Sequence, residues 1–266
     1  MAVTKGLEWT FDTVASKYEK IRPGYVRELY EKLFSYAPIG PESNVVEVGS
    51  GAGQATGPVL QTGCRLTAVE YGKSFAALLR EKFAEYPSFS VINGRFEETE
   101  FEPDSCDLVF SASAFHWIPE QAGYETAYAM LKKGGAFARF ANHPHPDRRR
   151  PELTAAIQKQ YDEYYYKYYT NKTRARDLRE YTEEMAKERA MLAGKYGFRD
   201  LQYAMFRRER TFTAKEYTEL LGTYSDHIAL DETVRSEFFA KVEQAITDHG
   251  GLITIYDTID LQLARK

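Results

Sequence analysis

Residues 44–53 read Asn-Val-Val-Glu-Val-Gly-Ser-Gly-Ala-Gly. The segment Asn44–Val48 is short, mostly apolar and β-branched, which is the composition of a strand buried at the centre of a parallel sheet. Gly49, Gly51 and Gly53 then interrupt it. Glycines at alternate positions predict a turn free of Cβ atoms, against which a ligand can lie on bare backbone. A helix is predicted to restart near Gln54. Strand, glycine turn and helix, in that order, are how an α/β fold makes a nucleotide-like cofactor site at the carboxyl edge of its sheet.

The segments on either side extend this pattern. Upstream, Val26, Leu29, Tyr30, Leu33 and Phe34 fall at helical spacing after Pro23-Gly24, so residues 1–43 read as a helical lead-in. Downstream, residues 65–69 form a second predicted strand that ends on Glu70. Ser74 is the expected cap of a helix with Phe75, Leu78, Leu79 and Phe83 on one face. Strands are predicted at 90–92, 107–111 and 136–140, with a helix at 120–131 between the last two. Strands alternating with helices imply right-handed crossovers and a parallel sheet, with the cofactor-binding core at 44–141.

The alternation stops at a His/Pro/Arg-rich connector, 142–151. Residues 152–195 read as polar helix, with Leu153, Ile157, Tyr161, Tyr164 and Tyr168 on one face. The chain has 20 tyrosines, and several crowd into 161–169. Two readings of that crowding stay open: an amphipathic helix that uses tyrosine as its core residue, or rings lining a pocket beneath a helical lid. Residues 201–212 can form a sixth strand, and Thr213 can cap a helix over Ala214–Leu221. Ile253, Ile255, Ile259, Leu261 and Leu263 alternate with polar residues, which predicts a half-exposed antiparallel strand at or near an edge. Residues 201–266 therefore complete the sheet, and 142–200 form a helical cap insert within a single domain, 1–266.

Composition narrows the function. A net charge of −4 argues against a general nucleic-acid binder. No apolar run approaches the roughly 18 residues of a membrane span. Residues 1–10 lack a secretory layout, and two cysteines, Cys64 and Cys106, suit a reduced cytosol, so a cytoplasmic protein is expected. His143 and His145 have ligand-like spacing without an adjacent carboxylate or thiol partner, so no metal is expected. Arg148-Arg149-Arg150 reads as a solvated run that could also attract an anion.

The cofactor follows from spacing. Dinucleotide sites favour G-x-G-x-x-G/A. Here the third small position is Gln54, and Gly53 comes one residue early. The G-x-G-x-G spacing resembles motif I of class I S-adenosylmethionine (SAM)-dependent methyltransferases. Asn93-Gly94-Arg95-Phe96-Glu97, then Pro103, Ser105, Asp107 and Val109, continue the family pattern. Ser111-Ala-Ser-Ala-Phe-His-Trp117 and Phe11-Asp12…Tyr18…Arg22-Pro23…Tyr25 resemble its small-molecule branch, which includes trans-aconitate-type enzymes. The matches span residues 8–140. The Asn/Asp-Pro-Pro-Tyr run of base-methylating enzymes is absent, and Arg95 stands where the family commonly has a small residue.

The resemblance implies a Rossmann-like, doubly wound, mostly parallel seven-stranded sheet with an antiparallel C-terminal strand. It implies a SAM site formed by Tyr18, Arg22, Glu47, Gly49, Ser50, Gly51, Gly53, Gln54, Glu70, Tyr71, Phe96, Glu97 and Ser111. Glu70 would accept the ribose hydroxyls. Phe115, Trp117 and Tyr165 would line the acceptor pocket. His116 is the candidate general base, with a structural role as its alternative. The expected activity is methyl transfer to a small molecule, a carboxylate being one candidate. A catalytically silent SAM-binding module and an NAD-linked oxidoreductase are the competing readings; Gln54 disfavours the second.

Overall fold

The computed structural model describes residues 19–169 and 179–266. The expected signature residues Phe11, Asp12 and Tyr18 lie outside them. The chain runs α1 (Arg27–Tyr36), β1 (Asn44–Val48), α2 (Thr56–Leu60), β2 (Arg65–Glu70), α3 (Lys73–Lys82), β3 (Phe89–Asn93), β4 (Cys106–Ala112), α4 (Glu120–Met130) and β5 (Leu131–Pro146). It continues with α5 (Pro151–Gln160), α6 (Glu183–Met191), β6 (Arg199–Thr213), α7 (Ala214–Leu221), α8 (Ser225–Ile228), α9 (Glu232–Asp248) and β7 (Leu252–Arg265).

The seven strands form one sheet in the order β3-β2-β1-β4-β5-β7-β6. β1 to β5 are parallel, and β7 runs antiparallel to both β5 and β6. From β1 the chain moves outward one way to β3, then returns to the other side as β4. That reversal opens a crevice at the carboxyl ends of β1 and β4, beside the glycine turn. Both faces of the sheet are covered. Leu29 and Leu33 of α1, Leu60 of α2 and Leu79 of α3 pack on Val45, Leu66 and Leu108. Tyr124 and Ala127 of α4 pack on Val46, Val109 and Phe137 from the opposite side. A third apolar cluster joins Leu153 and Ile157 of α5 and Tyr165 to Leu221 of α7, Phe238 and Val242 of α9 and Ile255 of β7. Among the described residues, no helix is long and apolar enough to cross a membrane.

Four expectations need correction. Ser74 lies inside the first turn of α3, and Gly72 holds the cap position. β5 does not stop at Phe140; it continues to Pro146 because β7 pairs with it throughout, Phe140 with Leu261 and Pro146 with Ile255. β4 has ended by then, so Pro144 and Pro146 leave no second ladder short of donors. β7 lies one strand in from the edge, which β6 forms, but it is not half exposed: Asp257, Thr258, Asp260 and Gln262 are all buried. Partners within the fold bury them. Arg208 and Arg210 hold Asp257, while His143 and Tyr181 hold Asp260. Finally, Tyr168 is exposed, whereas Tyr165 is buried. A wide turn at Tyr161–Tyr165, closed by the Tyr166 amide on the Tyr161 carbonyl at 2.9 Å, adds a residue and rotates the buried face. The expected cap of α7 is present as a reciprocal box between Thr213 and Glu216.

Candidate active site

The glycine turn is built for close approach. Gly49 has φ +70°, and a Cβ there would lie 2.4 Å from the Ala114 methyl group. The Glu70 carboxylate closes the turn from the next strand. One oxygen accepts the Gly51 amide at 2.7 Å, and the other accepts the Gly72 amide at 2.8 Å. The two amides fix the carboxylate at the mouth of the turn.

Above this turn lies a cavity of about 400 Å³. Of the sequence-expected site residues, Arg22, Gly49, Ser50, Gly51, Gln54, Glu70, Tyr71, Phe96, Glu97, His116 and Trp117 line it. Buried Ser50 Oγ and Gln54 Nε2 have no partner among the described residues. These atoms, the bare backbone of Gly49 and Gly51, and the Glu70 carboxylate fit a nucleoside with an amino-acid tail. Arg95, the departure from the family pattern, lies flat against the Tyr71 ring, 4.3 Å from its centroid, and donates to its hydroxyl at 3.1 Å.

Five expected residues do not reach this cavity. Glu47 is fully buried beneath the turn and accepts the Thr56 hydroxyl at 2.5 Å. Burial raises its pKa to about 8. Gly53 packs against α3, where a Cβ would come 2.6 Å from the Phe83 ring. Ser111 donates to the Val48 carbonyl inside the sheet, so its hydroxyl is already engaged. Phe115 turns into the core against Tyr124 and Phe137, because the short Phe115–Trp117 turn leaves only its neighbours facing outward. Tyr165 lies under the cap.

His116 lines the cavity with its ring exposed. The protein around it, then the nearby Arg189, Arg139 and His143, lower its pKa to about 4. Arg22 closes one rim: its guanidinium donates to Thr223 Oγ1 at 2.8 Å and to the Thr223 carbonyl at 3.0 Å, and it covers the Tyr224 ring.

Several lining residues escaped the sequence reading. Arg210 and Asp257 form a buried bidentate pair at 2.7 and 2.9 Å. Arg210 Nη1 remains without a partner among the described residues. Ser113 sits at φ +55° with its hydroxyl 2.7 Å from Tyr25 Oη, a backbone conformation unusual for a serine. Two acidic residues three apart in β7, Asp257 and Asp260, were a readable sign of buried pairing. The dense run Thr223-Tyr-Ser-Asp-His227 was another.

A second cavity, of about 240 Å³, lies between α5, α7 and β7. Tyr161, Tyr165, His227, Ile157, Leu221 and Ile253 are among its walls. Pro144, Leu220, Tyr224 and Asp226 line both cavities, so the two adjoin at these residues. Both readings of the tyrosine cluster therefore hold: the rings pack as core and also line a pocket. His143 bonds Asp260 at 2.9 Å, and among the described residues no cluster of metal-type side chains forms.

The sheet order and the Glu70-closed glycine turn define an α/β protein of the class that binds a nucleoside-bearing cofactor at its switch point. Comparison with known proteins narrows the class. Residues 46–138 match the family model described as a methyltransferase domain. An uncharacterised methyltransferase of Schizosaccharomyces pombe is 24 % identical over 238 residues, which is 89 % of this chain and 87 % of that one. A solved methyltransferase of Anaeromyxobacter dehalogenans, provisionally classed as type II, superposes with a TM-score of 0.61 at 22 % identity over 92 % of this chain and 97 % of that one. Phosphoethanolamine N-methyltransferase 2 of Haemonchus contortus, solved with S-adenosylhomocysteine and phosphomonomethylethanolamine, gives 0.55 at 18 % identity over 96 % of this chain but 57 % of that one. The protein is a SAM-dependent methyltransferase with the class I fold.

Proposed function

We propose that this enzyme methylates a small molecule held under the cap, as in the branch that includes trans-aconitate-type enzymes. One observation carries the reading: the cavity over the glycine turn adjoins a second, largely apolar cavity between the cap and β7. Bound SAM supplies a methyl group already activated by its sulfonium. The chain aligns donor and acceptor and keeps water out. Glu70 would take the ribose hydroxyls, Gly49 and Gly51 the tail against bare backbone, and Tyr71, Phe96 and Glu97 the adenine. Glu47, Gly53 and Ser111 would shape the turn from behind. A neutral His116 of low basicity suits a wall beside Trp117 better than a general base at pH 7. In this reading residues 142–200 are the cap insert of a single domain, 1–266, in a cytoplasmic protein. The net charge of −4 supports a small-molecule acceptor over nucleic acid. A carboxylate acceptor is the second reading, favoured by the unpartnered Nη1 of Arg210. Titration calorimetry tests the cofactor: S-adenosylhomocysteine should bind with micromolar affinity and NAD should give no heat. Heat with NAD alone would overturn the reading. Transfer of label from methyl-tritiated SAM into an extract of small metabolites tests the acceptor class.

A further inference from the structure

We infer that the cap cavity removes the proton from a weakly acidic hydroxyl, such as a phenol, through a relay of Tyr161, His227 and Asp226. The inference rests on the reading that the acceptor lies under the cap. His227 is buried beside that cavity. Its Nδ1 lies 2.8 Å from Asp226 Oδ1, and its Nε2 lies 3.0 Å from Tyr161 Oη. A carboxylate accepts only from a protonated nitrogen, so Nδ1 carries the hydrogen, and Nε2 accepts from the Tyr161 hydroxyl. The other Asp226 oxygen accepts the Tyr165 hydroxyl at 2.6 Å, and its backbone carbonyl accepts that of Tyr169. Three residues of the tyrosine cluster therefore converge on one Asp-His pair, more organisation than packing a lid requires.

The surroundings are apolar or phenolic on most sides. Phe238 and Phe239 of α9 contact the imidazole, and Tyr224 flanks it. Tyr217 of α7 stands near Tyr161, and burial holds the Tyr161 hydroxyl in its neutral form. Of the charges that line this cavity, Asp147 is paired with Arg149, and Arg150 is bound to the Leu252 and His249 carbonyls. Arg22 and Arg210 line the adjoining cavity, over Tyr224 and against Asp257. Asp226 lines both cavities, which brings the relay to their junction.

The step balances. The acceptor O–H gives its proton to Tyr161 Oη as the tyrosine passes its own to His227 Nε2. Asp226 stabilises the resulting imidazolium. The acceptor oxygen forms its bond to the methyl carbon as the carbon–sulfur bond breaks, and both electrons of that bond stay on sulfur. The proton leaves from His227 to solvent afterwards. Tyr161 is the catalytic residue; His227 and Asp226 act through it.

The test uses the full-length enzyme, methyl-tritiated SAM, and phenols of graded acidity, from unsubstituted phenol to 4-nitrophenol, which is ionised near neutrality. Wild type should methylate across the series at pH 8. Tyr161→Phe and His227→Gln should slow phenol by about 10²–10⁴-fold, the usual scale of general-base catalysis, with a far smaller loss on 4-nitrophenol. S-adenosylhomocysteine affinity should be kept. An equal loss on both phenols, or no loss on either, overturns the relay. Methylation of carboxylates alone, or of no phenol by an enzyme that still binds S-adenosylhomocysteine, also overturns it and leaves the cofactor assignment standing. Absence of S-adenosylhomocysteine binding would instead defeat the reading beneath it.

Discussion

The two cavities are built by opposite means. The cavity over the glycine turn has a floor of backbone: a glycine turn, the ends of two neighbouring strands, and one carboxylate held by two amides. The cap cavity is mainly side chains from segments far apart in sequence, with Tyr161, His227 and Ile253 meeting across more than ninety positions. A backbone site is written in one short stretch. A side-chain site exists only after the chain has folded around it. The strands β6 and β7 beside them are held together by charge, and this gives the largest expected effect. Asp257 is buried between Arg208 and Arg210. Asp257→Ala should cost about 3–5 kcal/mol in urea unfolding, because it leaves two half-buried guanidinium groups uncompensated. A loss below about 1 kcal/mol would show that these pairs are not what ties β6 to β7.

The backbone half should respond differently. Gly49→Ala places a methyl 2.4 Å from Ala114 at a left-handed φ, so S-adenosylhomocysteine affinity should fall by more than about 100-fold. Gly53→Ala meets the Phe83 ring instead, and should lower stability by about 1–3 kcal/mol with affinity nearly kept. If calorimetry and unfolding gave both variants the same profile, the division between cofactor-facing and packing glycines would fail. Glu70→Ala should weaken S-adenosylhomocysteine by roughly ten- to a hundred-fold through lost hydrogen bonds. An unchanged dissociation constant would mean that Glu70 serves only the turn.

This contrast explains what was legible in the sequence. Gly49, Gly51 and Glu70 were readable because strand ends and glycine spacing fix backbone shape locally. Ser111 and Phe115 belonged to the right segment, but sequence does not tell which residue of a short turn faces inward; packing against Val48 and Tyr124 decided that. In the tyrosine cluster, helical periodicity chose Tyr164 and Tyr168, and one wide turn moved the buried face to Tyr165. β7 looked half exposed because alternation cannot tell water from a buried partner such as Arg210 or His143.

The smallest effect probes the ground beneath the glycine turn. Glu47 ionises in the folded protein only near pH 8, against an ordinary value of 4.5, because burial penalises its charge. Between those values the folded state holds a proton that the unfolded state has lost. Its contribution to stability is therefore complete below about pH 4.5 and disappears as pH rises toward 8. Glu47→Gln keeps the shape and an acceptor for the Thr56 hydroxyl, but removes the titration. Wild type should lose several degrees of melting temperature between pH 5 and 8 relative to the variant, measured by differential scanning calorimetry in matched buffers. Parallel curves for the two proteins would show that Glu47 is already ionised at pH 5, and that the turn rests on a buried charge rather than on a neutral acid.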